Sequence, residues 1–307
     1  MLKKIWYVIL LILIVIALWQ FDLSALWAGL QHIPLWLVGL LLAMQILSLL
    51  LVNLQWVYIA RLCSMKITFW EMFYANSHGA LIDSVTPGVK FGGELTRAVE
   101  IKKMANSEIE NAVTIVALQK LFSISTFVIV CLLTVGFVNV EFVYYLFPVL
   151  LIMIGLFILP KKKLPVAENS ATRFLRFLFR FVLFFHNFCS QMYYIRTQKL
   201  ACVGLFALSL TIWLLYPLKL YILAIHFYPD INIFYISTAT FMAYLVAMIP
   251  IFPGGLGGFE ATMTGMLISA GMISTDALMI SLVFRFFTFW LVMLLSLCYM
   301  GKCNIQR

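Results

Sequence analysis

The 307-residue chain is 64% hydrophobic and 16% aromatic but only 11% charged, whereas a soluble domain carries about 25% charged residues. So little polar surface cannot cover a water-facing globule, which excludes an ordinary soluble enzyme and makes lipid the solvent. The net charge of +9 is not the footprint of nucleic-acid binding, because the basic residues sort by side of a membrane. Six cysteines without a CxxC pair and four dispersed histidines give no metal or disulfide framework.

Crossing about 30 Å of hydrocarbon takes about 20 apolar helical residues. Six stretches meet or approach this: 4–20, 35–58, 112–136, 142–160, 200–225 and 277–300. The first follows Lys3-Lys4 and resembles a signal peptide, but no small-residue cleavage site follows it, so it reads as a retained helix. Pro34 is placed to open the second. With the N-terminus cytoplasmic, sixteen lysines and arginines fall on the cytoplasmic side: Lys3, Lys4, Arg61, Lys66, Lys102, Lys103, Lys161, Lys162, Lys163, Arg173, Arg176, Arg180, Arg196, Lys199, Lys302 and Arg307. The external loops carry none, only Asp22, Glu141, Asp230 and Asp276. This asymmetry puts both termini inside. The segment 161–199 is the one sizeable aqueous part. Its Arg173, Arg176 and Arg180 alternate with phenylalanine and leucine, the pattern of an interfacial helix facing anionic headgroups or of a topology anchor.

Five basic residues remain at membrane depth: Lys90, Arg97, Lys120, Lys219 and Arg285. Charges there are costly and are paired or functional. Lys120 and Arg285 sit too deep to reach water easily, so they are expected to pair or to act. Lys219, far along its helix, is expected near the outer interface, where it can snorkel.

Two regions fit neither a spanning helix nor a solvated loop. One runs 70–101 around Pro87-Gly88-Val89-Lys90-Phe91-Gly92-Gly93-Glu94; the other runs 234–270 around Pro253-Gly254-Gly255-Leu256-Gly257-Gly258-Phe259-Glu260. Aligned on Pro87 and Pro253, both have Gly at +1, Gly at +5 and Glu at +7. The first enters from the cytoplasm and the second from outside, and their flanking helices are opposed. The expected fold is therefore an all-α polytopic membrane protein, a single domain over 1–307 with six full transmembrane helices. Two re-entrant helical hairpins complete an inverted-topology repeat, the repeats covering 35–136 and 200–300. Two short full spans in place of a hairpin would give the same parity, most openly for 250–258.

A Pro-Gly turn opening a helix offers free backbone N–H groups and the positive dipole end to a phosphate or carboxylate. Gly92, Gly93, Gly257 and Gly258 would let a ligand approach the backbone closely. Lys90, Arg97 and Arg285 could hold the phosphate, and Glu94 and Glu260 a cationic headgroup or a proton. The same residues read equally as internal ion pairs, Glu94–Arg97 and Glu260–Arg285, that hold half-helices together. Asp83 and His78 read as satisfied structural groups. No Walker A, HExxH or Gly-x-Ser-x-Gly motif is present, so neither an enzyme nor an ATP-driven pump is expected, and no cofactor.

The stretch 86–97 (TPGVKFGGELTR), the stretch 253–260 (PGGLGGFE) and Arg285 in SLVFRFFTFW resemble the signatures of the flippase-like membrane domain of lysylphosphatidylglycerol synthases, which also exists as stand-alone proteins. The resemblance implies lipid translocation in a bacterial or archaeal cytoplasmic membrane. It also implies a headgroup cavity lined by Pro87, Gly88, Lys90, Gly92, Gly93, Glu94, Arg97, Lys120, Pro253, Gly254, Gly255, Gly257, Gly258, Glu260 and Arg285. Many relatives carry Glu-Arg where this chain has Gln119-Lys120, which leaves that helix's role open. The aminoacyl-transferase domain of full synthases is not in the sequence, so any aminoacylated lipid would come from a separate enzyme. Two other readings stay open: an ion-coupled transporter of a small anion, and a non-transporting membrane partner of a lipid-modifying enzyme.

Overall fold

The computed structural model describes residue 27 and residues 31–86, 91–138, 141–158, 173–249 and 254–305. The expected first helix at 4–20, the lysines at 161–163 and the loop residues Pro87, Gly88, Lys90 and Pro253 lie outside them. Among the described residues every regular element is helical. In chain order they are α1 (Leu35–Leu62), α2 (Phe69–Val85), α3 (Phe91–Ala105), α4 (Ile109–Val138), α5 (Glu141–Ile158), α6 (Arg173–Thr197), α7 (Lys199–Phe227), α8 (Ile233–Met248), α9 (Gly258–Ser269), α10 (Ser274–Arg285) and α11 (Leu291–Ile305). A π-helical turn, Phe286–Trp290, joins α10 to α11.

Among the described residues four helices are long and apolar enough to cross a membrane: Leu35–Leu62, Ile109–Gly136, Lys199–Phe227 and the continuous Ser274–Cys303. The expected span at 142–160 matches α5 over the described residues, with an apolar part at Leu146–Ile158. Pro34 caps α1 in extended geometry, as a residue that cannot donate within a helix should. Thr68 starts α2 by accepting from the Glu71 amide at 3.3 Å, while Glu71 Oε2 accepts from the Thr68 amide at 2.8 Å. This reciprocal cap satisfies two orphan donors. Asn232 caps α8 with a single bond, its side chain accepting from the Phe234 amide at 2.8 Å.

The order is the same in both halves of the chain. A long helix (α1, α7) leads to a broken pair (α2–α3, α8–α9) and then to a second long helix (α4, α10–α11). The corresponding helices α1 and α7 pack antiparallel: Trp36 meets the His226 ring at 6.4 Å, Gln45 meets Lys219, and a Cβ on Gly204 would lie 3.9 Å from Tyr58. Opposed direction of matching helices is what an inverted repeat requires. α8 likewise runs against α4, with Thr238 donating to the Thr134 carbonyl at 3.1 Å and Phe241 packing on Phe127 at 5.6 Å.

Three apolar clusters hold the bundle. One surrounds fully buried Phe122, which packs on Phe157 and Phe206 at 5.2 and 5.0 Å. A second surrounds Phe259 and Phe284, and a third Phe127 and Phe241. The latter half of α6 enters the first through Phe188, Cys189, Met192 and Ile195, and Asn187 donates to Asn111 of α4 at 3.0 Å. Thus the latter half of α6, part of the segment 161–199 expected to be interfacial, has one face that belongs to the protein core. Phe122→Ala should cost about 3–5 kcal/mol, read as a lowered thermal midpoint in detergent, whereas exposed Leu133→Ala should leave the midpoint nearly unchanged.

Candidate functional site

The tip of each broken pair carries a charged cluster. In the first, Arg97 of α3 donates from Nη1 to Asp83 Oδ2 and Glu94 Oε1, both at 3.1 Å. Asp83 Oδ1 accepts from the Gly93 amide at 2.9 Å. Lys120, reaching in from α4, lies 2.6 Å from Glu94 Oε1. Asp83, Glu94 and Arg97 are 10%, 13% and 12% exposed at their side chains, and the cluster pairs two cations with two carboxylates.

In the second, Arg285 is buried in α10, with Nε 3.0 Å from Glu260 Oε1. The contact is an ion pair without an aligned hydrogen bond from Nε. Arg285 Nη2 also donates to the Gly254 carbonyl. The guanidinium lies between the rings of Phe259 and Phe289, 4.4 and 4.3 Å from their centroids, a cation–π sandwich that partly replaces lost hydration. Glu260 Oε2 accepts from the Gly257 amide at 2.7 Å.

The two halves share one device. A half-helix begins at a glycine amide, an internal carboxylate accepts from it, and an arginine holds that carboxylate. Asp83 plays the part in the first half and Glu260 in the second. The expectation of free N–H groups is therefore corrected at Gly93 and Gly257, whose amides already carry an internal anion. The ion-pair reading of Glu94–Arg97 and Glu260–Arg285 is realised. Asp83, read from sequence as a satisfied structural group, is satisfied by Arg97 and the Gly93 amide and so belongs to the cluster. The signal was available: it is a carboxylate at membrane depth four residues before Pro87, and such groups find a cation.

Glycine makes the close packing possible. A Cβ on Gly93 would run into the Asp83 carboxylate, and one on Gly79 would lie 2.7 Å from Arg97 side-chain atoms. Gly254, Gly255 and Gly257 have φ of +60°, +70° and +85°, the left-handed region that L side chains rarely enter. Gly92 and Gly258 open their helices beside them.

The tips also approach each other, since a Cβ on Gly254 would lie 3.5 Å from the Ser84 carbonyl. Their open ends lie far apart. Tyr299 near the end of α11 donates to the Trp70 carbonyl at 3.1 Å, at the start of α2. Tyr228 bonds Asp276 at 2.7 Å beyond the end of α7, near the start of α8. Lys120 and Arg285 each sit eleven residues into their helices, about 17 Å from opposite ends of the bundle. A separate cavity of about 500 Å³, lined by Lys66, Asn106, Asn111, Thr114 and Gln191 among others, includes no member of either cluster.

A profile described as the lysylphosphatidylglycerol synthase TM region matches residues 5–296. The chain belongs to this family. It is also similar to a UPF0104 membrane protein of Methanothermobacter thermautotrophicus, 23% identical over 272 residues that cover 81% of this chain and 80% of the relative. A second match to a UPF0104 membrane protein of that organism is 33% identical over 102 residues, covering 32% of this chain and 30% of the relative. As a member of the lysylphosphatidylglycerol synthase TM region family, the chain is a multi-pass membrane protein. At Gln119-Lys120, Lys120 holds Glu94 while Gln119 turns to Gln55 on α1 at 3.1 Å.

Lys219 is a correction. Expected to snorkel, it is fully buried and donates to Gln45 Oε1 at 2.6 Å and Ser48 Oγ at 3.1 Å. Its position along α7 gave its depth, but not that α1 covers that face.

Removing one partner of a buried pair costs about 3–5 kcal/mol. Glu260→Ala should therefore lower the thermal midpoint sharply, and Arg285→Ala added to it should recover part of the loss. Gly93→Ala should be as damaging, while Gly265→Ala, with open space around it, should be silent.

Proposed function

We propose that the protein moves a phospholipid or lipid-linked phosphate between leaflets, passing the headgroup between the two charged tips. One observation carries this reading: two helix N-termini of opposed hairpins each hold an internal carboxylate against an arginine, at the same depth from opposite ends. On this reading the hairpins are re-entrant, both termini are cytoplasmic and the membrane is the cytoplasmic one.

Each arginine-plus-amide pair has the chemistry of an anion site, and its carboxylate stands where a lipid phosphate would bind. Among the described residues the first cluster balances two cations against two carboxylates, and the second one against one. Adding a phosphate without moving a carboxylate leaves uncompensated charge in a low-dielectric interior, at high cost. The phosphate therefore exchanges with Asp83 or Glu260, and the displaced carboxylate turns to a proton or to a cationic group on the headgroup. Glu94 is prepared for such a group: Oε1 holds Arg97 and Lys120, while Oε2 is buried without a hydrogen-bond partner. The glycines give the headgroup access to the backbone, and the broken helices are tolerated at depth because protein surrounds them.

Reconstitution into vesicles with a fluorescent phospholipid tests this reading. The wild type should equilibrate the lipid between leaflets, and Glu94→Ala and Arg97→Ala should each abolish the protein-dependent rate. Wild-type translocation no faster than in either variant overturns it. Uptake of a soluble anion without lipid movement would point to the small-anion transporter instead.

A further inference from the structure

Lys120, Arg97 and Arg285 have carboxylate partners; among the described residues Lys219 has only neutral ones. Its ammonium is held by the Gln45 amide oxygen and by Ser48, whose hydroxyl passes its own proton to the Met44 carbonyl at 2.8 Å. The remaining side is covered by the Tyr216 ring, 4.4 Å from Nζ. A basic group is thus kept at membrane depth among neutral oxygens, which ordinary packing does not require: an apolar residue would cost less there.

The surroundings of Lys219 continue as a polar seam. Seven residues farther along α1, about 10 Å, Gln55 accepts from Gln119 of α4 at 3.1 Å. α1 and α4 are antiparallel, since Met65 just past α1 meets Ser107 just before α4. The register that pairs Gln55 with Gln119 therefore sets Thr126 of α4 level with Ser48, with the buried Ser125 next to it in sequence. Two atoms of the Gln55–Gln119 pair are buried with no hydrogen-bond partner, Gln55 Nε2 and Gln119 Oε1, and so is Ser125 Oγ six residues farther along α4. Unmet buried polar atoms are rare, and several together mark positions for internal water. One end of the seam is Lys120, next to Gln119 and paired with Glu94. At the other, Tyr216 packs on Tyr244 at 5.1 Å, and Tyr244 on Phe259, which carries Arg285.

We propose that the seam between α1, α4 and α7 is a hydrated proton path joining Lys219 to Glu94, so that lipid movement is coupled to protons. In one transfer the Lys219 ammonium gives a proton to the water chain and becomes the amine. The Glu94 carboxylate takes one up, becomes the acid and releases Lys120. The reverse transfer restores both charges. The titratable groups facing Lys219 are Tyr216 on its own helix and, across it, Tyr244 of α8, with Arg285 and Glu260 beyond. α1 presents only the neutral Gln45 and Ser48. The coupling rests on the lipid-moving reading, but the path itself does not.

Vesicles of phosphatidylethanolamine and phosphatidylglycerol, with pyranine trapped inside and a potassium diffusion potential imposed, read proton flux directly. The wild type should acidify the lumen faster than protein-free vesicles do. Lys219→Met and Gln119→Leu should lose that excess while eluting as the wild type does in gel filtration. Should either fail to fold, Ser125→Ala decides, since it removes one unmet hydroxyl with little change in packing and should also lower the flux. Flux equal to the protein-free background in the wild type, or wild-type flux in the folded variants, overturns the proposal. A fluorescent lipid in the same vesicles separates the two readings. Lipid movement without proton flux sinks the proton path and its coupling but not the lipid-moving function. Proton flux without lipid movement sinks the lipid-moving function and the coupling but not the path.

Discussion

The arrangement depends on one constraint: a charge at membrane depth must be matched within the protein, because lipid offers nothing to match it. Asp83 and Glu260 meet that constraint twice over, each neutralising an arginine and closing the exposed end of a half-helix. Around these two bridges the rest falls into place. Glycines are needed where the carboxylates touch the backbone. Aromatic rings are needed where Arg285 has no second carboxylate, and Lys120 and Arg285 must enter at matching depth from opposite ends.

Buried ion pairs of this kind contribute little net stability, because desolvation offsets their attraction. On the lipid-moving reading proposed above, exchange explains their retention. A carboxylate holding an arginine and a helix N-terminus would compete with a phosphate, so that the empty site is neutral and the loaded site would be neutral only after the competitor leaves. On the same reading anion binding is tied to the hairpin tips, which meet at Gly254 and Ser84. The π-turn Phe286–Trp290 lies against this point, with Phe289 covering both Arg285 and Gly254. Such turns often mark functional positions within helices.

Much of this was legible in the sequence because it follows from local rules. Pro-Gly followed by Gly and Glu fixes a broken helix whatever surrounds it, and the i,i+3 spacing of Glu94 and Arg97 places them on one face. The depth of Lys120 and Arg285 could be counted along their helices. What could not be read depends on which helix covers which face. Lys219 lies at the depth its position implies, but it is shielded by Gln45 and Ser48, which are more than 170 residues away in sequence. The bond from Gly93 to Asp83 depends on how closely α2 and α3 fold back on each other, and no periodicity encodes that. The buried face of α6 was hidden beneath its charged start, where the arginine pattern dominates.

Asp83→Asn tests the claim of an internal competitor most directly. The substitution keeps the shape of the side chain and removes its charge, leaving Arg97 and the Gly93 amide to an incoming anion. Titration of the purified protein in detergent with short-chain phosphatidic acid should show Asp83→Asn binding more tightly than the wild type, by roughly tenfold if the lost competition is worth about 1.4 kcal/mol. Binding unchanged or weakened in Asp83→Asn would contradict the account, because the carboxylate would then be only a strut.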